Sequence, residues 1–249
     1  MQTYLTLTRR ELGSFFYSWV GYVVIAGAVF LMGFEFVTLL DKLRGESTPM
    51  PLAEMFFNLP FWLIVLFSAP VITMRLFALE KHSGTFETLM TAPVSDAQVV
   101  LAKFTAALVF YMIMWLPLLG CVLSLRYFAR GSNVLDTGTL ASAYLGIFLV
   151  GCLYMAAGAF ASALTRSQIV AAMVAFVIGL GFFLAGFMGD QFAMDQTWAV
   201  RALNCVNVMA QMKDYASGVV DTRSIVFCLS STVFFLFLAC RVIESRRWR

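Results

Sequence analysis

The sequence predicts an all-α membrane protein with about six transmembrane helices. Of its 249 residues, 61% are hydrophobic and only 12% are charged, whereas a soluble domain is roughly 45–50% apolar and about 25% charged. A soluble fold of this length could not bury so much apolar surface, whereas in a membrane that surface can remain in contact with lipid. A bilayer core requires about 20 apolar residues per helix, and such windows lie at 19–40, 55–78, 104–125, 140–164, 169–188 and 224–243. Pro70 and Pro117 predict kinks in the second and third windows. In the long loop before the sixth window, residues 200–212 have helical spacing and Asp221 is positioned to cap the sixth helix.

The residues before the first window predict an amphipathic helix. Leu5, Leu12, Phe15, Phe16 and Trp19 share one face of such a helix, and polar residues lie on another. This pattern is typical of a helix that lies in the plane of the membrane interface. The alternative is that the first transmembrane helix simply continues beyond the membrane. The apolar run itself exceeds the 7–15 residues of a signal peptide, so we interpret it as a retained first helix.

Basic residues predict the orientation of the spans. Cytoplasmic loops of membrane proteins carry an excess of Lys and Arg. With six spans, one side of the membrane holds both termini and ten of the 17 basic residues: Arg9, Arg10, Arg75, Lys81, Lys103, Arg166, Arg241, Arg246, Arg247 and Arg249. We therefore expect a multi-pass protein of a bacterial inner (plasma) membrane, surrounded by lipid, with both termini in the cytoplasm.

The sequence contains none of the common signatures of catalysis. It lacks the P-loop pattern that cradles ATP phosphates, and it lacks GxSxG and HExxH. The five cysteines show no CxxC pair, and they fit small apolar residues in helix packing. His82 is the only histidine, and it belongs to no recognisable metal-binding motif or nucleophile–His catalytic motif. We expect no enzymatic activity, no catalytic residues, no metal and no cofactor, and the net charge of +3 indicates no nucleic-acid partner.

A short helix is predicted in the cytoplasmic loop after the second window. Gly84 can end the extension of the second helix, Thr85 can cap a new one, and Pro93 stops it. Ser95 or Asp96 then caps the third transmembrane helix. The apolar residues Phe86, Leu89 and Met90 have nothing of their own to bury against. They therefore contact the groove of a partner, or the short helix is a connector resting on lipid headgroups.

The same loop carries a resemblance to a known family. Met74-Arg75, Phe77, Glu80, Gly84-Thr85, Glu87, Leu89, Pro93, Val94-Ser95 and Lys103 follow the order and spacing of the ABC-2-type transporter permeases. Among these the chain looks most like the permease of the gliding-motility ABC transporter group. Residues 144–146, 165–171 and 218–223 also agree, so the resemblance covers nearly the whole chain. Leu79 departs from the pattern, because the family often has a second acidic residue there.

The resemblance implies a single ABC-2-type transmembrane permease domain over residues 1–249. The helix 84–91 would be a coupling helix that docks on a separate cytosolic ABC ATPase subunit. Glu80 and Glu87 would face polar groups of that subunit, and Phe86 and Leu89 would fill its groove, with Gly84 and Thr85 at the helix start. A second permease copy or a related permease would complete the transporter, which would export a substrate or transmit force; the substrate is unknown.

Two other interpretations stay open at this point. The chain could be a structural or anchor subunit that transports nothing, or an intramembrane enzyme, although the spans lack a set of convergent polar residues. Glu35 is the ionisable residue inside the first window. Such a residue suggests a functional site by default, and the alternative is a simple position near the headgroups.

Overall fold

The computed structural model describes residues 2–45, 54–56, 58–85, 95–128, 137–191 and 206–247. These residues form α-helices and contain no strand, which confirms the predicted all-α class. The helices are α1 (Gln2–Phe16), α2 (Trp19–Gly45), α3 (Leu59–Thr73), α4 (Ala78–Ser83), α5 (Asp96–Met114), α6 (Leu116–Phe128), α7 (Thr137–Leu164), α8 (Gln168–Gln191), α9 (Val208–Ala216) and α10 (Thr222–Arg247).

The predicted spans are confirmed. Within the described ranges, 6 helical segments are long and apolar enough to cross a bilayer. In chain order they are Trp19–Lys42, Leu59–Ser83, Asp96–Leu125, Thr137–Leu164, Gln168–Gly186 and Thr222–Ser245. The second span combines α3 and α4, and the third combines α5 and α6.

Side-chain caps fix where two spans begin. The Ser95 hydroxyl accepts from the Gln98 backbone N–H, and the Gln98 side chain accepts from the Ser95 N–H, which together form a capping box. Asp221 accepts from the Arg223 N–H over 2.9 Å at the start of α10. Both caps satisfy amide groups that the first helical turn leaves without a partner, and both agree with the sequence prediction.

Helix α7 is the centre of the bundle. Its apolar window is 83% buried by protein, whereas the window of the sixth span is only 17% buried. Helices α3, α5, α8, α9 and α10 all pack against it. Small residues permit this approach, because a Cβ atom at Gly158 would lie 2.7 Å from the Cβ of Thr73 in α3. Close packing through small residues is the usual mode of association between membrane helices.

The second span is interrupted between α3 and α4. Helix α3 continues through Pro70 and ends at Thr73, and α4 begins at Ala78. Ser162 of α7 satisfies the freed backbone: its hydroxyl accepts from the N–H groups of Phe77 (3.0 Å) and Ala78 (3.1 Å) and donates to the Met74 carbonyl (3.2 Å). A break at membrane depth is tolerated where protein supplies such partners.

The third span is interrupted at the proline that the sequence indicates. Helix α5 ends at Met114 and α6 begins at Leu116, with Pro117 in the first turn of α6. Proline suits the first turn, because the N–H that it lacks would have no intrahelical acceptor there. Trp115 at the junction is buried, and its carbonyl accepts from the Tyr144 hydroxyl of α7 over 3.1 Å.

Helix α1 crosses α5. The Tyr4 hydroxyl donates to Thr105 over 3.0 Å, and the Phe15 ring stacks on Phe110 with centroids 5.0 Å apart. The predicted apolar face is divided, since Leu12, Phe15 and Phe16 pack on the bundle while Leu5 and Trp19 are exposed. The position of α1 in the membrane interface stays a prediction.

The long loop between the fifth and sixth spans contains one described helix. We predicted helical spacing over 200–212; the described helix is Val208–Ala216, and residues 192–205 lie outside the described ranges. The Asn207 side chain caps this helix by accepting from the Ala210 N–H over 2.9 Å. Tyr215 is buried, and its carbonyl accepts from Ser142 of α7, which fixes α9 against the bundle.

Replacing Gly158 with alanine tests the close approach of α3 and α7. The new methyl group would overlap the Thr73 side chain, so we expect a loss of about 1–3 kcal/mol from overpacking. Gly27→Ala is the matched control, because nothing lies within 4 Å of a Cβ at that position. Thermal unfolding of the purified protein in one detergent measures both. Equal midpoints for the two variants would contradict this packing.

Candidate functional site

The candidate site is the set of contacts that hold α4 against its neighbours, which we call the α4 junction: Arg10, Glu11, Glu80, Lys81, Lys103 and Ser162. Helix α4 is the last part of the second span and leads into residues 86–94, which lie outside the described ranges. The chain returns to the bundle at Ser95, the cap of α5. Along the chain, the segment 86–94 is therefore joined to the membrane helices by α4 and the start of α5.

Two cations and two carboxylates form the ionic part of the junction. The Lys103 ammonium of α5 lies 2.8 Å from Glu80 Oε1 of α4 and 3.1 Å from Glu11 Oε2 of α1. The Arg10 guanidinium lies 2.7 Å from Glu11 Oε1 and 3.5 Å from Glu80 Oε1. The signs alternate, so each carboxylate contacts both cations and the four formal charges cancel.

Burial makes Lys103 the most constrained member. Its side chain is 3% exposed, against 17% for Glu80 and 56% for Arg10. Its ammonium also lies 5.6 Å from the centre of the Phe77 ring, within the range of a cation–π contact. Removing one partner of a buried ion pair typically costs about 3–5 kcal/mol, because the other charge stays desolvated. Lys103 therefore fixes α1, α4 and α5 relative to one another.

Arg10 closes the cluster at its exposed edge. The hydrogen bond to Glu11 raises the pKa of the Arg10 guanidinium above its usual value, against the opposing effect of partial desolvation. The guanidinium is therefore charged at any physiological pH. Ion pairs at such an exposed edge contribute at most about 1 kcal/mol, so Arg10 adds less to the junction than Lys103.

Helix α7 holds the other side of α4. The Lys81 side chain is 8% exposed, and its ammonium donates to the Ala163 carbonyl. Ala163 is in the last turn of α7, where carbonyl groups lack helical partners and a cation is favoured. Together with the hydrogen bonds of Ser162 described above, this contact joins both ends of α4 to α7.

The residues predicted to couple the protein to a partner divide into two groups. Glu80 lies in the ionic cluster, where its Oε2 atom is buried without a hydrogen-bond partner. Gly84 has a positive φ of 76° and ends α4, a conformation that glycine adopts without strain. The Thr85 hydroxyl oxygen lies 2.8 Å from that of Ser83. The described ranges stop there, so Phe86, Glu87 and Leu89 lie outside them.

Glu35 is buried in the first span. The residue is 3% exposed, Asn58, just before α3, lies near the carboxyl group, and Oε1 has no hydrogen-bond partner among the described residues. This position differs from a simple contact with headgroups. The described residues hold no cluster of three or more His, Cys, Asp or Glu side chains that could bind a metal.

Sequence reasoning missed Lys103, Glu11 and Ser162 as members of one site. A signal for Lys103 was present, because it is a single cation within an otherwise apolar helix, and such residues need a partner. No local pattern indicated which partner, since Glu11 and Glu80 are 92 and 23 positions away. Ser162 had no signal, because serine is common in tightly packed membrane helices.

The arrangement fits mechanical linkage and offers no reaction chemistry. Its charges neutralise one another, and its donors are bound to backbone carbonyls or carboxylates. Residues 35–199 match the model of the family described as ABC-2 family transporter protein, and no curated protein matches the chain. The match spans more than half of the sequence, so this multi-pass membrane protein belongs to the ABC-2 family of transporter proteins.

Proposed function

We propose that this permease couples ATP hydrolysis by a separate cytosolic ATPase subunit to export or force transmission across the membrane. The proposal rests on the family match and on the α4 junction, through which one short helix contacts α1, α5 and α7. Membrane components of this family are generally not enzymes and typically work with an ABC ATPase. The absence of a P-loop in this sequence is consistent with an ATPase on another chain.

The coupling would run from the segment 86–94 into the bundle. Phe86 and Leu89 supply the apolar contacts to the ATPase and Glu87 a polar one, as the family resemblance implies. Gly84 sets the direction in which the chain leaves α4. Displacement of the segment then moves α4, and the ion pairs of Lys103 carry that movement to α1 and α5. A partner shifts such an equilibrium only by its difference in affinity for the two states, typically about 1–3 kcal/mol.

This proposal gives Glu80 a role inside the permease. Its carboxylate contacts Lys103 and Arg10 of the same chain, so it is occupied before any partner docks. Glu87 is then the acidic residue of this loop that we assign to the ATPase contact. The two carboxylates have separable effects, since one holds the junction together and the other binds the partner.

A complete transporter would contain two permeases and two ATPases, and any path for a substrate would lie between the permeases. The windows of the first and fifth spans are each only 22% buried within one chain, so both offer surface to lipid or to a second copy. We place the protein in a bacterial inner membrane with both termini cytoplasmic, on the basic-residue count, and closest to the gliding-motility group, on the motif around 74–95.

Co-expression with an ATPase encoded beside this chain tests the function. We expect the two proteins to co-purify in mild detergent and to hydrolyse ATP in lipid. Glu87→Lys reverses the charge at the docking segment, so we expect several-fold less ATPase to co-purify with it. Glu244→Lys is the control, because Glu244 is an exposed acid at the same end of the bundle whose i,i+3 pair with Arg241 contributes little.

If Glu87→Lys retained as much ATPase as Glu244→Lys does, the assignment of the segment 86–94 as the docking site would be wrong. Failure of every neighbouring ATPase to co-purify with the unchanged protein would favour the structural or anchor subunit instead.

Substitutions at Gly84 test whether the exit direction from α4 matters. Asparagine tolerates the left-handed backbone conformation, whereas the β-branched side chain of valine does not. No described residue lies within 4 Å of a Cβ at this position, so overlap with the described structure does not complicate the comparison. We expect Gly84→Asn to retain ATPase-dependent function and Gly84→Val to lose most of it with membrane insertion unchanged. Equal function in both would show that the direction is unimportant.

Substitutions at Lys103 test the α4 junction. Lys103→Met leaves Glu11 and Glu80 with only the exposed Arg10 as a counter-charge, and we expect a loss of about 3 kcal/mol. Adding Glu80→Gln removes one of these two carboxylate charges, so the double variant should regain part of this loss. Thermal unfolding in detergent gives the double-mutant cycle, with a coupling well above the few tenths of a kcal/mol expected for independent sites. Additive effects would show that the two groups do not interact.

A further inference from the structure

An open cleft of about 550 Å³ lies beside α4, at the end of the bundle where the fifth span begins. Its lining comprises His82 of α4, Arg166 and Ser167 of the turn after α7, and Gln168 and Ile169 at the start of α8. We call it the basic cleft. His82 and Arg166 are exposed, and neither takes part in the α4 junction. None of its described lining residues is acidic, so this lining offers hydrogen-bond donors and positive charge.

Arg166 is available to a ligand. None of the ion pairs among the described residues includes it, and Glu80, the acidic residue of α4, is already bound to Lys103 and Arg10. Arginine binds phosphate with parallel N–H donors, which gives it both affinity and orientation. The cleft therefore has a free group of the type that recognises phosphate.

Backbone amides add to the donors of the cleft. The hydrogen-bond ladder of α8 begins with Ala171 N–H, which donates to the Ser167 carbonyl over 3.0 Å. The amides of Gln168, Ile169 and Val170 precede that bond and have no helical acceptor. A helix start of this kind favours an anion. Here it supplements Arg166 and His82, which approach the cleft from two separate parts of the chain.

An apolar strip leads from the cleft along the fifth span. Ile169, Met173 and Val177 follow one another at intervals of four residues, and their exposed fractions are 74%, 63% and 66%. Residues four apart lie on the same side of a helix, so the strip is continuous. It lies within the span Gln168–Gly186, whose window is only 22% buried within one chain, so the strip is a surface that an acyl chain can contact. An anion site and an apolar strip thus adjoin at the depth where a headgroup meets its acyl chains.

We propose that the basic cleft binds the phosphate of an anionic glycerophospholipid, with an acyl chain lying along Ile169, Met173 and Val177. A free phosphate or an acidic peptide would use the cleft alone and leave the strip unexplained. A phospholipid satisfies both parts at once, because its phosphate is covalently joined to the chains that the strip accommodates. Basic sites between membrane helices bind anionic headgroups in this way. The proposal does not depend on the presence of an ATPase.

Lipid titration of the full-length protein tests this proposal. Native mass spectrometry measures binding of phosphatidylglycerol and of phosphatidylcholine with identical chains. We expect the unchanged protein to prefer phosphatidylglycerol and Arg166→Gln to bind it about tenfold more weakly, as loss of one charge-assisted hydrogen bond predicts. Arg241→Gln is the matched control, since Arg241 is exposed on the sixth span and pairs with Glu244, and it should bind as the unchanged protein does.

Competition experiments identify the source of the phosphate. Inorganic phosphate at millimolar concentration should not displace phosphatidylglycerol, because it lacks the acyl chain; displacement would assign the cleft to a free anion and overturn the proposal. Equal affinity of Arg166→Gln and Arg241→Gln for phosphatidylglycerol would also overturn it. Should Arg166→Gln alone reduce co-purification of the ATPase with lipid binding unchanged, the cleft belongs to a protein partner.

His82→Asn provides an independent test if Arg166→Gln fails to give a monodisperse protein. It removes the imidazole from the other wall of the cleft while α4 keeps its contacts to Lys103 and α7. We expect it to bind phosphatidylglycerol more weakly than Arg241→Gln does. Affinity equal to that of the unchanged protein would count against the lipid site.

Discussion

The buried ammonium of Lys103 is the constraint on which the arrangement of this end of the bundle depends. A charged group is rarely left unpaired in a protein interior, because apolar side chains offer no hydrogen bonds to replace those of water. Lys103 finds Glu80 at 2.8 Å and Glu11 at 3.1 Å, and these acids belong to different helices. Satisfying one cation therefore positions α1 and α4 against α5, which no local preference of those helices would do.

Backbone groups impose a second constraint of the same kind. The break between α3 and α4 leaves the N–H groups of Phe77 and Ala78 and the carbonyl of Met74 without helical partners. Ser162 supplies both a donor and an acceptor from a single hydroxyl, which is why α7 must approach the break closely. Gly158, one turn earlier on α7, permits that approach by leaving room for Thr73. Packing and hydrogen bonding are thus satisfied by neighbouring positions of one helix.

The sequence predicted those features that local chemistry determines. Span positions followed from the length of apolar runs, and the helix starts at Ser95 and Asp221 followed from residues that cap helices. The end of α4 at Gly84 followed from the backbone freedom of glycine. The α4 junction could not be predicted in this way, because its contacts join residues far apart in sequence, such as Glu11 with Lys103 and Lys81 with Ala163.

The break in the second span also could not be predicted from local sequence. Pro70 and Pro117 both suggested kinks, yet helix α3 continues through Pro70 and ends at Thr73. Proline removes one hydrogen bond and one donor, and whether the helix stops depends on what surrounds it. At Pro117 a new helix begins at once. After Thr73 the helix stops, and a hydroxyl from α7 binds the freed backbone groups. Proline inside an apolar run therefore has different outcomes at the two sites, because the tertiary contacts differ.

If α4 transmits movement, the relative strengths of its contacts indicate where the chain bends. Separating Lys103 from its two carboxylates would expose desolvated charges at a cost of about 3–5 kcal/mol, more than a typical coupling free energy of about 1–3 kcal/mol. The hydrogen bonds of Ser162 contribute about 1 kcal/mol each, and a hydroxyl can rotate to keep some of them as the backbone shifts. We therefore expect α4 to move together with α1 and α5, and the bending to occur between Thr73 and Ala78. In that case the ionic cluster would move as one rigid unit with α1, α4 and α5, and the break beside Ser162 would be the hinge.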